Sequence, residues 1–515
     1  MAFKDEDWKR AFLRCMGAAL ILHLIAVTWS VGFYHTDEHF QILEFLNFKL
    51  GRSTGSELAI EFGERIRPWL QPAMDYVIAR ILMLVGITNP FDWTWVFRFV
   101  SGFLGWLSLV GLSILSYSWF ENAKLRKLAL LLCATLWYLP ALHARQSSES
   151  LSGSVFYIAV SLLFLFAESQ SLLLHCGVGL LLGAAFEFRY QVGFLVMGVF
   201  FFYLWKYRPQ FKNVTALVLG ILFFIALGTW VDHWGYGQWT FAPWNYFHYN
   251  LILGHVADVD TQPIWDFFRS SITETFPPLG FLTLCSFALG WIFMPLAPLT
   301  WITFPLYLIH SLIGHKELRF IFPIVDAGPF LILLAASAPH RWGHKWMAWW
   351  QTKFGTSLFK LIFAINLVAL IPTTLLPVWM PARFFSQLYS LRQTLRPESG
   401  VSSGFSSNGK MEILYKDKNP FEILGIPLGF YRPPQTDSTL IRSYEELNQR
   451  IDGASGPVWY FQVGFDMSED SGAARTHCKL EIESMPHWMI SVIHWKLLEH
   501  ATQRVRDWAL YRCEK

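Results

Sequence analysis

The stretch AFLRCMGAALILHLIAVTWSVGFYHTDEHFQ, residues 11–41, is a long apolar run that stops at a packed polar cluster. Residues 11–33 supply the roughly 20 residues that a helix needs to cross a hydrocarbon core of about 30 Å. The run has no small-residue cleavage site and passes directly into His35, Asp37, Glu38, His39 and Gln41. It reads as an uncleaved transmembrane helix, not a signal peptide. The polar cluster therefore lies at a membrane surface.

The remainder of the 515 residues repeats this pattern. The chain is 53% hydrophobic and 15% charged, with 46 Phe and 25 Trp, against roughly 25% charged in soluble proteins. Apolar runs of spanning character cover 11–33, 93–119, 128–142, 151–167, 171–187, 191–205, 214–231, 277–294, 297–312, 320–338 and 357–378. They predict an all-α polytopic bundle of about eleven transmembrane helices. Segment 72–88 carries Asp75 and Arg80 and reads as an interfacial helix, with a short span as the rival. A net charge of +3 gives no argument for nucleic acid.

Lys/Arg bias orients the bundle. Lys4, Lys9 and Arg10, then Lys124, Arg126 and Lys127, then Lys206, Arg208 and Lys212, then Arg341, Lys345 and Lys353 fall on one side, read as cytoplasm. The other face receives a large first outer loop, about 34–92, several short links and the tail. The chain divides into a transmembrane module, 1–379, and an extracytoplasmic C-terminal domain, 380–515. The tail has ordinary charge, the Gly/Ser-rich stretch 398–410 and a β-like run 457–465, which suit a small α+β domain. Cys478 and Cys513 lie in it and can pair in an oxidising compartment. No internal repeat is evident.

Polar clusters gather on the outer face. HTDEH (35–39) literally matches H-x-x-E-H, a zinc-protease pattern, but no third ligand is evident. A polar helix cap needs fewer groups than two adjacent carboxylates between two histidines. Carboxylates at the mouth of a bundle suit removal of a proton from a hydroxyl. GERIRPWLQP (63–72) brings Arg65 and Arg67, HARQSSESL (143–151) brings Arg145 and Glu149, and FEFRYQ (186–191) brings Glu187 and Arg189. Ionisable groups so near the membrane are costly and default to a functional reading, a structural ion pair being the alternative. Residues 232–250 are dense in aromatics and amides, among them Trp244 and Asn245, which suit either an interfacial belt or a sugar. GHKELRF (314–320) sets His315, Lys316 and Arg319 around Glu317, a candidate phosphate clamp.

Taken together these stretches resemble glycosyltransferase family 22 of the GT-C superfamily. The resemblance rests on His35-x-Asp37-Glu38-x-x-Gln41 after the first span, on ARQSSESLS, on Asp232, Tyr236, Trp239, Pro243, Trp244, Asn245 and Asn250, and on HKELRF with Pro323. The motifs occur in family order across about residues 10–340. Two departures stand out. Arg189-Tyr190-Gln191 replaces an Arg-Pro-Thr common in the family, and a Cys-His-Ser-Thr-Pro stretch of eukaryotic members is missing, which points to a bacterial relative.

The resemblance implies an inverting mannosyltransferase that uses a polyprenyl-phosphate donor and a lipid-linked glycan or glycolipid acceptor on the non-cytoplasmic face. It also implies no metal and no cofactor. Asp37 is the expected general base, with Glu38 beside it. His315, Lys316, Arg319 and Arg189 are expected to bind the donor phosphate. His35, Gln41, Arg65, Arg67, Arg145, Glu149, Trp244, Asn245 and Glu317 are expected to contact donor or acceptor. The expected setting is a bacterial inner membrane with the site facing the periplasm, the endoplasmic reticulum membrane being the alternative. A lipid-linked-sugar flippase and a GT-C enzyme for another sugar are the competing readings.

Overall fold

In a computed structural model the apolar runs become helices wherever the sequence lacks a breaker. The structure describes residues 5–255, 260–338, 345, 348–395, 410–454, 456–463, 478–486, 489 and 507–515. Most of the Gly/Ser-rich stretch 398–410, the end of the run 457–465 and the topology marker Arg341 lie outside the described residues.

All eleven expected segments are mainly helical, 128–142 being broken at residues 136–138 between Ala123–Thr135 and Leu139–His143. Among the described residues six helices are long and apolar enough to cross a membrane by length and composition: Glu6–Trp29, Pro90–Trp119, Ser148–Leu165, Phe211–Tyr236, Leu318–Ser337 and Lys353–Leu375. Leu279–Phe293 and Pro298–Leu312 pass the same test as a pair but meet at 119°. Pro295 and Pro298 lie at that corner, and proline cannot donate the backbone hydrogen bond a helix needs. Leu172–Phe188 and Gly193–Tyr207 are shorter, and Leu70–Leu84 is the helix of the ambiguous segment.

The chain forms two compact units. The first comprises residues 1–30, 60–87 and 93–376, and the second comprises 31–59, 88–92 and 377–515. The large first outer loop is therefore divided, its first half folding with the tail.

The bundle of the first unit is packed around Leu109, Leu112, Phe156, Tyr157, Val199, Ile302 and Phe330. Glycines allow its helices to approach closely. A Cβ on Gly179 would fall 2.1 Å from Leu217 O, and one on Gly220 2.3 Å from Cys176 O. Small residues at such crossings are how helices gain packing where lipid offers no hydrophobic drive. The outer surface of Phe211–Tyr236 carries exposed Leu219, Leu222, Phe223 and Trp230, as a lipid-facing helix requires.

The second unit contains a five-stranded sheet in the order β4-β1-β5-β7-β6. Its strands are β1 (Met411–Tyr415), β4 (Thr436–Leu440), β5 (Val458–Val463), β6 (Cys478–Glu483) and β7 (Trp508–Cys513), while β2 (Glu422–Ile423) and β3 (Ile426–Pro427) form a separate hairpin. β1 runs parallel to β4 and β5, and β7 antiparallel to β5 and β6. Cys478 and Cys513 are partners across β6 and β7 and are joined by a disulfide. Tyr444–Gly453, capped by Ser443, packs Leu447 and Ile451 against Leu414, Ile441 and Tyr460. Residues 31–33 join this unit through Val378 N–H, which donates to Val31 O at 2.8 Å, and through Phe33, stacked on Trp379 at 4.4 Å.

Candidate functional site

The polar cluster that ends the first apolar run is a short, tightly held turn in the second unit. Thr36–Glu38 forms one helical turn, and its N-terminus is capped by His35, whose Nδ1 accepts from Asp37 N at 3.2 Å. A π-helical turn, His39–Leu43, follows, and then the helix Glu44–Lys49. π-turns recur at functional sites because they re-aim side chains. The two carboxylates are treated differently. Glu38 is buried and folds back to accept from Tyr34 N at 3.3 Å. Asp37 keeps a side chain 20% exposed, with Oδ1 3.4 Å from His35 Nδ1. Gln41 is buried in the π-turn.

The cationic residues form a second cluster, in the first unit. Glu149 lies in the first turn of Ser148–Leu165, where a carboxylate favours the helix dipole. Its Oε1 is 3.1 Å from Arg189 Nη2 and 3.6 Å from Arg319 Nη1, and Ser147 Oγ donates to its Oε2 at 2.9 Å. All three charged groups are buried. Arg319 Nε also bonds Glu317, which accepts from His315 Nε2 at 3.0 Å. Arg189 Nε bonds Gln191, whose amide donates to Tyr246 OH at 3.0 Å. Three segments 40 or more residues apart thus meet at one carboxylate.

Lys316 is placed otherwise. Its ammonium donates to Gln262 O at 2.9 Å and Ile313 O at 2.6 Å, so it ties the link to residues 260–262. Burial lowers its pKa from the ordinary lysine value. The hydrogen bond from His315 to Glu317 raises the His315 pKa, against partial burial, which lowers it.

The arginines of the first outer loop are set by the end of Phe211–Tyr236. Asp232 accepts from Trp69 N at 2.8 Å, and Tyr236 OH both accepts from Arg67 N and donates to Arg67 O, at 3.2 and 2.8 Å. The Arg67 guanidinium lies 5.8 Å from the Tyr246 ring centroid and 3.5 Å from Glu61. Asn245 Nδ2 donates to Arg65 O at 3.3 Å, and Trp244 is exposed. Arg145 bonds back to Ala141 O within its own turn. Asp232 and Tyr236, noticed in the sequence only as part of a motif, thus hold the backbone of Trp69 and of Arg67 respectively.

One polar network was not visible in the sequence. His23 Nδ1 is 2.6 Å from Ala19 O, His23 Nε2 is 2.9 Å from His143 Nδ1, and His143 Nε2 is 3.2 Å from Asp326 Oδ1. Ser108 and Ser154 both donate to Asp326 Oδ2. Every member is buried inside the first unit. A carbonyl only accepts, so His23 Nδ1 carries a hydrogen and neutral His23 accepts at Nε2. His143 must then donate from Nδ1, which leaves Nε2 and Asp326 Oδ1 facing each other. Among the described residues each otherwise lacks a partner, so one proton lies between them. The glutamate partner of His39 was also missed. His39 Nε2 and Glu44 Oε1 are 2.7 Å apart and both groups are buried. The available signal was the polar residue inside an apolar run, which is expensive and rarely incidental.

A family model described as the Alg9-like mannosyltransferase family matches residues 15–396. A GPI alpha-1,2-mannosyltransferase 3 from Xenopus laevis is 25% identical over 360 residues, 65% of this chain and 64% of that protein. A GPI mannosyltransferase 4 from Eremothecium gossypii is 26% identical over 326 residues, 59% of this chain and 61% of that protein. The chain thus spans less than two thirds of the length of these curated relatives. In fold it is similar to ArnT from Cupriavidus metallidurans, solved bound to undecaprenyl phosphate, with a TM-score of 0.50 at 12% identity, covering 87% of this chain and 92% of that one. At that identity the likeness is one of fold. By the match over most of its length, the chain belongs to the Alg9-like mannosyltransferase family.

Proposed function

We propose that the protein transfers a mannosyl residue from a polyprenyl-phosphate donor to a lipid-linked glycan or glycolipid acceptor, with inversion, on the non-cytoplasmic face of its membrane. The observation that carries this reading is the buried convergence of Arg189 and Arg319 on Glu149 in a chain of a mannosyltransferase family. A phosphate leaving group needs fixed positive charge in a site of low dielectric more than it needs a proton. The same class of lipid phosphate is bound by the ArnT protein of similar fold.

In this reading the acceptor hydroxyl attacks C1 as its proton passes to Asp37. The C1–O bond to phosphate breaks on the opposite face, and its electron pair leaves on the phosphate. Arg319 and Arg189 stabilise that oxyanion, with His315 and Lys316 adding positive charge to the adjacent link. Asp37 is preferred as base because it is the partly exposed carboxylate of its turn, whereas Glu38 is folded onto Tyr34 N. Glu38 and Gln41 then shape the turn. His35, Arg65, Arg67, Arg145, Trp244, Asn245 and the buried Glu149 and Glu317 line or brace the substrate-binding surface. The disulfide supports placing the tail in an oxidising compartment, a condition met by both a periplasm and an endoplasmic reticulum lumen.

The test is transfer by the purified protein from polyprenyl-phosphate mannose, with the glucose- and galactose-bearing donors as competitors. Asp37→Asn is expected to lower kcat by about 10²–10⁴, the usual contribution of a general base. Wild-type turnover by Asp37→Asn would remove Asp37 from the role. Equal use of another sugar would remove mannose.

A further inference from the structure

The turn that carries Asp37 belongs to the second unit. At its start His35 caps it, and at its end stands His39, fully buried. Both Glu44 oxygens face N–H donors and so act as acceptors, and His39 Nε2 donates to Oε1. His39 Nδ1 is buried with no hydrogen-bond partner among the described residues, so Glu44 is the polar tether of the ring. Glu44 Oε1 also accepts from Phe430 N at 2.9 Å, and its Oε2 accepts from Asn47 Nδ2 at 3.3 Å. Phe430 belongs to the tail, 386 residues further along the chain. Beside it, Gly429 leaves no room for a side chain, since a Cβ there would lie 2.8 Å from Asn47 Nδ2 and 3.1 Å from Glu44 Oε2. Tyr431 continues the contact, 5.3 Å from the His39 ring and stacked on Phe91 at 4.9 Å.

We propose that Glu44 is a positioning residue through which the C-terminal domain sets the Asp37 turn. The path runs from the Phe430 amide to the Glu44 carboxylate, to the His39 imidazole, to the turn Thr36–Glu38. The inference rests on the reading of Asp37 as base. A displacement of about 1 Å in a reacting group can cost 10²-fold in rate, so a tether that fixes a turn reads out in kcat and not in donor binding. On this reading the tail, which lies outside the family match from residue 397 on, is part of the machinery that deprotonates the acceptor.

The full-length protein is assayed as Glu44→Ala, Glu44→Gln and Gly429→Ala, with Asp37→Asn alongside and thermal unfolding recorded for each. Glu44→Ala is expected to lower kcat at least tenfold with donor KM within about twofold. Glu44→Gln keeps an oxygen for both Phe430 N and His39 Nε2 and is expected to restore most of kcat. Gly429→Ala removes no bond but pushes the Asn47 and Glu44 side chains, and is expected to lower kcat severalfold at unchanged KM. Folded Glu44→Ala and Gly429→Ala with wild-type kcat, beside an inactive Asp37→Asn, would overturn the inference alone. An active Asp37→Asn would overturn the base and this inference with it. If Glu44→Ala does not fold, Gly429→Ala decides by the same criterion.

Discussion

Arg319 binds two carboxylates at once, Glu149 through Nη1 and Glu317 through Nε. Lysine offers one compact charge and cannot span both. Arg319→Lys is therefore expected to behave as a loss, raising donor KM at least tenfold in a transfer assay. The neighbouring His315 brings a pH dependence. Glu317 raises its pKa above the ordinary histidine value, so its charge, and the stability this pair lends the link, is complete below about 6.5 and is lost as pH rises through the raised value. Donor KM should rise across that window, and Glu317→Gln should move the rise to lower pH. The buried network gives a sharper contrast. If one proton lies between His143 and Asp326, an asparagine amide can donate in its place while its oxygen accepts from Ser108 and Ser154. Asp326→Asn should thus stay within about 1 kcal/mol of wild type, and Asp326→Ala should lose about 1–3 kcal/mol by leaving the buried His143 nitrogen without its partner, both read by thermal unfolding in detergent. Asp37, Glu149, Arg189 and Arg319 stood out in the sequence because they interrupt apolar runs at membrane edges. His23, His143 and Asp326 interrupt them too, but they lie far apart with no common spacing, and only the folded bundle shows them as one group.

The elements were the most legible level. Continuous apolar runs specify membrane helices with little help from tertiary context, because each helix satisfies its own backbone in lipid. The breaks were less legible: the runs 277–294 and 297–312 are separate in the sequence but their 119° corner is not written there, and the 3₁₀ stretch Leu318–Ala327 opens an apolar run that reads as one helix. Contacts between elements follow from small residues and can be tested. Gly179→Val is expected to destabilise the bundle by about 3 kcal/mol or more, the upper end of overpacking costs, because the clash is with the Leu217 carbonyl. Gly177→Ala, with nothing within 4 Å, is the control and should be neutral or mildly stabilising. In the tail, the β2–β3 hairpin places exposed Leu424 at φ 53. A left-handed conformation costs a non-glycine residue about 1–2 kcal/mol, and asparagine tolerates it better. Leu424→Asn should therefore raise tail stability by about 1 kcal/mol, measured by denaturant unfolding.

At the scale of the whole molecule, the division into units was the part that sequence could not convey. The first outer loop reads as one polar segment, yet residues 31–59 fold with a tail that begins at residue 377. Nothing in the local pattern of His39 and Glu44 points to an amide nearly four hundred residues away. The tail is closed by a disulfide across a separation of 35 residues, and loops of that size make such bonds worth about 2–4 kcal/mol. Cys478→Ser with Cys513→Ser should lower the unfolding midpoint of the second unit accordingly. The His23–His143–Asp326 chain bears on how the protein is made. His23 enters the membrane in the first span, and its partner His143 is synthesised 120 residues later, with Asp326 following near the end of the bundle. Until then the leading helix carries a ring nitrogen with nothing to bond in lipid. The first span should therefore be held insecurely in nascent chains that end before residue 143 and become secure once residue 326 has emerged, an order that glycosylation-site mapping of truncated chains would reveal.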